Sequence, residues 1–186
     1  MTVPLLLLSV VLALPTASPA CWIRDDPADL ELRISPLDSI TTVLGTDTIR
    51  ICYSRPRMLG RPIMGRLVPF GAAWRLGANE ATVLHTPVPL VVGDARVPAG
   101  SYSLYAIPDR DEWRLVVNAT AQRWGVPISG GVREADRDTT TARVGTTPEP
   151  VEMFTMRFEP TAGGRVELVM EWERTRLRVP IRRAEP

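Results

Sequence analysis

The sequence predicts a mostly-β fold: an antiparallel β-sandwich or partly closed barrel carrying one long Pro/Gly-rich loop. Three observations point there. Short segments alternate apolar and polar residues with period two, the pattern of a strand with one buried face. Turn residues (Gly, Asp, Pro) separate these segments. Helical character is confined to a turn or two near Thr120 to Trp124.

Ile49, Ile51 and Tyr53 alternate with Arg50, Cys52 and Ser54, which makes the first clear strand. Trp113, Leu115 and Val117 define the face of another, and Phe154, Met156 and Phe158 a third, opposite Thr155 and Arg157. Val166, Leu168, Met170 and Trp172 alternate with Arg165, Glu167, Val169 and Glu171. Leu177, Val179 and Ile181 then alternate with Arg176 and Arg178. Gly45-Thr46-Asp47, Gly93-Asp94, Pro98-Ala99-Gly100, Asp109 to Asp111 and Ala162-Gly163-Gly164 read as hairpin turns. Glycine supplies positive φ there and Asp closes Asx-type turns. With about nine or ten short strands, a sandwich or partly closed barrel is the economical architecture. Residues 126–150, rich in Gly, Thr, Asp and Arg, read as a long surface excursion. Arg176, Arg178, Arg182 and Arg183 read as protection of an edge strand.

A length of 186 residues fits one domain and buries enough surface to need no metal. The net charge of +1 provides no general field to attract nucleic acid, so no nucleic-acid partner is expected. All 22 basic residues are Arg. Lysine is absent, which removes Schiff-base chemistry, a Lys general base and the P-loop lysine. His85 is the single histidine. Multi-histidine metal sites are therefore excluded, and any Ser-His-Asp arrangement must pass through His85. There is no nucleotide loop, HExxH helix, CxxC pair or G-x-S-x-G elbow. The acidic turns at Asp136-Arg137-Asp138 and Asp109 to Glu112 lack calcium-loop spacing, so neither a metal nor a cofactor is expected.

Residues 1–20 are uncharged and include the apolar run Leu5 to Leu14, broken by Pro15 and followed by Ser18-Pro19-Ala20. That run suits the h-region of a signal peptide and is too short to span a bilayer, although the usual Lys or Arg is missing ahead of it. The expected organisation is a signal peptide over 1–20, a leader over 21–34 and one β domain over 35–183. Export to the periplasm or beyond follows, with no transmembrane span after cleavage between Ala20 and Cys21. Two fates of Cys21 stay open. It is either a lipidated anchor, with Ser18 and Pro19 making a poor lipobox, or the disulfide partner of Cys52 in an oxidising compartment. Both claim the same sulfur.

The segment Ser54 to Glu80 interrupts the strand pattern. Pro56, Pro62 and Pro69 push their predecessors out of the α region, and Gly60, Gly65, Gly71 and Gly77 permit tight bends. A connection this long is usually functional or disordered. Its apolar content (Met58, Ile63, Met64, Leu67, Val68, Phe70) argues against disorder.

Tyr53-Ser54-Arg55-Pro56, Gly60-Arg61, Leu67-Val68-Pro69, Trp74-Arg75 and Gly77-Ala78-Asn79-Glu80-Ala81-Thr82 resemble a bacterial family known only as domain of unknown function 2911. The resemblance continues through Pro98-Ala99-Gly100, Tyr102-Ser103-Leu104, Trp113, Asn118, Trp124-Gly125, Glu152 and Trp172, and covers roughly residues 35–181. It implies an exported, mostly-β bacterial protein and no particular activity. Leu76 stands where the family often has a small polar residue, which implies an altered surface beside Arg75.

The residues themselves suggest a site. Arg55, Arg61 and Arg75 offer guanidinium forks suited to carboxylate or phosphate, Trp74 an apolar wall, and Asn79 and Glu80 further polar groups. These six form the candidate ligand-binding set, for a small polar, anionic or sugar ligand or an envelope component. The same residues also make sense as scaffolding. Asn79 then closes a turn, Arg75 and Glu80 pair to pin the loop, and Trp74 is core. Two functional classes follow: a cell-envelope binding module, or a hydrolase or isomerase using Glu80 or His85 as acid/base with Arg75 as stabiliser.

Overall fold

A computed structural model describes residues 19–185; the expected signal segment lies almost wholly outside them. A 3-10 turn at Pro27–Leu32 is capped by Asp26, whose side chain accepts from the Ala28 amide. Nine strands follow: β1 Leu37–Leu44, β2 Asp47–Ser54, β3 Thr82–Thr86, β4 Leu90–Val92, β5 Ala95–Val97, β6 Gly100–Ile107, β7 Glu112–Asn118, β8 Asp136–Thr161 and β9 Arg165–Arg183. One helical turn, α1 at Gly130–Arg133, precedes β8.

The strands form one antiparallel sheet in the order β1-β2-β3-β6-β7-β8-β9-β4-β5, and it does not close into a barrel. It folds over on itself as a sandwich instead, and β8 makes the corner. The first part of this 26-residue strand pairs with β7 through Asp136 to Arg143, and the rest pairs with β9 from Val144 onward. Register shifts between Thr146 and Thr155 mark where the ladder bends. The two layers are joined across the core at Tyr53, whose hydroxyl accepts from the Met156 amide at 3.0 Å.

Alternating residues from both layers fill the interior. Ile49, Ile51, Leu84, Leu104, Leu115 and Val117 meet Phe154, Met156, Leu168, Met170, Trp172 and Val179, all buried. The outer face of the first layer is also covered: Cys52, Val83, His85, Ser103, Tyr105 and Asn118 are buried. The leader crosses this face, fastened by a Cys21–Cys52 disulfide.

Four local expectations change. The stretch 126–150 is not a plain excursion, because β8 begins at Asp136. Its buried positions there are Thr140, Ala142 and Thr147, too polar or small to advertise a strand. Thr120 to Trp124 is not helical: the Thr120 amide donates to Asn118 Oδ1, an Asx turn that competes with a helix. The last two alternating segments are one strand, β9, joined through Glu173 at φ +55°. The C-terminal arginines do not guard an edge, since β9 lies between β8 and β4. Arg176, Arg178 and Arg182 face outward from the second layer, whereas Arg183 follows the inward side of Leu177, Val179 and Ile181 and reaches the first layer. Arg176 pairs with Glu171, Arg178 with Glu159 and Glu167, and Arg183 with Asp47.

Candidate functional site

Past Ser54, the last residue of β2, the segment to Glu80 folds without regular helix or strand, yet it is fastened along its length. Phe154 donates its amide to the Pro56 carbonyl, the Met58 amide donates to the Glu152 carbonyl, and the Leu59 amide donates to the Glu152 carboxylate. Farther on, the Ile63 and Met64 amides donate to the two carboxylate oxygens of Glu173. Ile63, Val68 and Leu76 are sunk into the core. Trp74 then exchanges both backbone hydrogen bonds with Ala106, on the side of β6 that β3 occupies farther along.

These anchors carry Trp74 onto an aromatic cluster that bridges the layers. Its ring stacks on Trp172 at 5.7 Å with 20° between planes, and meets Phe154 and Trp113 edge-on at 5.1 and 5.7 Å. Beside this wall lies a cleft of about 250 Å³, lined by Pro56, Leu67, Pro69, Ala73, Trp74, Arg75, Gly77, Val126 and Trp172.

Arg75 supplies the charge in this cleft. It is half-buried, and its Nε donates to the Gly77 carbonyl at 3.1 Å. Among the described residues no carboxylate pairs with it. Burial pushes its guanidinium below the ordinary arginine value, although the group stays charged. Its stem crosses Gly125, where an added Cβ would sit 2.3 Å from Arg75 Cδ and 2.7 Å from the Asn79 carbonyl. Gly77 has φ +152°, and a Cβ there would meet the Ser54 carbonyl at 2.8 Å.

Of the six residues nominated from sequence, Trp74 and Arg75 line this cleft. The other four are engaged elsewhere. Arg55 donates to the Phe154 carbonyl and Thr155 hydroxyl and pairs with Asp38 at 3.3 Å. Arg61 is exposed and folds back onto the Met58 and Arg57 carbonyls. Asn79, at φ +57°, donates to the Ser35 carbonyl. Glu80 is buried and does not pair with Arg75. Arg33 from the leader grips it in a two-pronged bond at 2.8 Å on each oxygen, and the Arg24 amide adds a third at 3.1 Å. Burial raises the Glu80 carboxyl, but Arg33 and the Arg24 amide outweigh it and hold the group below the usual carboxylate range. Leu76 is buried at φ +53°, so it changes no surface beside Arg75.

His85 sits on β3 between Arg50 and Ser101, on the sheet face opposite the core, and its Nδ1 lies 2.7 Å from the Ser101 hydroxyl. Burial, and then the Arg50 charge, hold its pKa below the ordinary histidine value. It does not line the cleft.

Sequence reading missed Val126 and Trp172 as cleft residues and Gly125, Arg33 and Glu173 as its supports. Their only signal was distant: Trp124-Gly125 and Trp172 belong to the family-like pattern, but nothing in spacing connects them with Trp74. One family model, described as protein of unknown function (DUF2911), matches residues 35–181. No curated protein and no solved structure matches the chain.

Proposed function

The chain belongs to the DUF2911 family, whose description carries no activity, and we propose that it is an exported cell-envelope binding module whose cleft holds a small ligand by an anionic group on Arg75. The single observation behind this reading is Arg75 itself. A half-buried guanidinium in a cleft, with no carboxylate partner among the described residues, has given up hydration without a protein charge in return. Perturbed charged groups in clefts cluster at functional sites, where a ligand can supply the counter-charge. The Cys21–Cys52 disulfide supports export, because disulfides persist in oxidising compartments, and the apolar run at Leu5 to Leu14 supports it independently. With Cys21 sulfur in that bridge, this reading favours a free exported protein over a lipid-anchored one.

The enzyme alternative has less support. Both Glu80 oxygens are engaged by Arg33 and the leader, and His85 lies on another face. Neither is placed to exchange a proton with a molecule bound at Arg75.

A thermal-shift screen of sugars, phosphates and carboxylates tests the reading. At least one anion class should raise the melting temperature of the wild type and leave Arg75→Gln unmoved. Saturating ligand at a hundred times its Kd stabilises by about 2.7 kcal/mol, well within reach of the method. Arg75→Gln removes one ordinary hydrogen bond, so its own stability should fall by only about 1 kcal/mol. Equal responses from both proteins would overturn the assignment.

A further inference from the structure

We propose that this cleft selects a compact apolar monocarboxylate over sugars and phosphates. The inference rests on the anion-binding reading above and narrows it from the chemistry of the walls.

The cleft is poor in polar side-chain atoms. Among its nine lining residues only Arg75 and the two tryptophans carry any. Trp172 Nε1 donates to the Glu152 carbonyl, and Arg75 Nε to Gly77. What remains for a ligand is the pair of Arg75 terminal nitrogens and the Trp74 indole N–H, all donors. No lining side chain can accept a hydrogen bond. A sugar presents several hydroxyls, each a donor as well as an acceptor, and no lining side chain would accept from them. Each unpaired group costs about 1–3 kcal/mol. A carboxylate accepts only, and it matches the planar guanidinium fork with two parallel bonds.

Charge points the same way. The lining holds one positive side chain and no second base, so a monoanion is neutralised while a phosphate dianion is not. Size sets a further limit. At about 250 Å³ the cleft is below the ~300–1,000 Å³ of ordinary drug-sized sites, enough for one ring or branched chain. Trp74, Trp172, Pro56 and Pro69 form its sides, and Leu67 and Val126, 47% and 44% exposed, leave an apolar rim at its mouth. Nothing but the carboxylate of such a ligand needs a polar partner.

Isothermal titration calorimetry on the mature protein, residues 21–186, decides this with 3-phenylpropionate and isovalerate as probes. 3-Phenylpropionamide, phenyl phosphate and methyl glucoside serve as controls. At least one of the two acids should bind one-to-one. The amide, the phosphate and the glucoside should each be at least tenfold weaker. Arg75→Gln should lose at least tenfold in affinity for the acid. Val126→Asp, which puts a negative charge on the exposed rim without touching the core, should weaken the acid more than the amide. An amide that binds as well as its acid would overturn the proposal. Phenyl phosphate binding as tightly, lost in Arg75→Gln, would also overturn it but leave Arg75 as an anion site. Silence from both acids with Arg75-dependent binding of the phosphate has the same meaning, whereas binding of the neutral glucoside in their place would overturn both readings. Silence from every probe would remove both readings.

Discussion

Arg33 and Glu80 stand 47 positions apart, with side chains only 9% and 5% exposed, and their pairing decides where the leader lies. Truncating one member of such a pair strands the other charge. Arg33→Ala should therefore cost about 3–5 kcal/mol in urea unfolding, and adding Glu80→Gln should cost less than the sum of the two. The same pair has a pH signature. The folded Glu80 pKa is depressed, so its contribution is complete above the unfolded carboxyl value near pH 4 and is lost as pH falls through the lower folded value. A stability titration between roughly pH 5 and 2 should show this acid loss in the wild type and much less of it in Glu80→Gln. His85 obeys the same sign. Its lone imidazole resonance should titrate below about pH 6.5, and stability should decline as pH falls from there to the folded value. The sequence did name Glu80 and Arg75, but as partners of one another. Three intervening residues, Leu76, Gly77 and Asn79, have positive φ, and this backbone path delivers Glu80 to the leader and Arg75 to the cleft. Spacing along a chain carries no information about such turns.

Elements bring the cleft residues together, and two of their features can be tested separately. Glu173 breaks β9 at φ +55° and turns its carboxylate onto the Ile63 and Met64 amides. Hydrogen bonds to a charged group contribute about 1.5–3 kcal/mol, so Glu173→Gln should make those two amides exchange with deuterium at least tenfold faster. Amides of Leu168 to Met170 should keep their protection. Gly125 is the second test. Gly125→Ala has no room beside Arg75 and should destabilise by about 1–3 kcal/mol while abolishing any anion response. Strand by strand, legibility followed the side chains. β2, β7 and β9 showed regular alternation of large apolar residues and were readable. The start of β8 hid because Asp138, Thr140 and Ala142 occupy its inward positions, and an Asx turn at Asn118 replaced the expected helix. The loop was legible as an exception to the strand pattern; its contacts with Glu152, Glu173 and Gly125 were not, since each joins distant parts of the chain.

The molecule as a whole reads as one unit tied at its beginning. The Cys21–Cys52 bridge closes a loop of 31 residues that includes the leader and β1. In the chain-entropy account such a loop is worth about 3–4 kcal/mol, so Cys21→Ser/Cys52→Ser should unfold at correspondingly lower urea, as should the wild type after reduction. Melting temperatures that do not respond to dithiothreitol would contradict this. The sandwich class was legible because alternation and turn residues agreed throughout, whereas the choice of sandwich over barrel needed the course of β8. That strand also has a dynamic consequence. Because β8 belongs to both layers and the core is packed between them, neither layer can swing away from the other without exposing Phe154, Met156 and Trp172 to water. The described residues thus move as one packed body rather than as a clamshell. Passage into and out of the cleft falls to rotamer changes of Leu67 and Val126, nanosecond events rather than domain closure. Scattering profiles recorded with and without a bound ligand should superimpose.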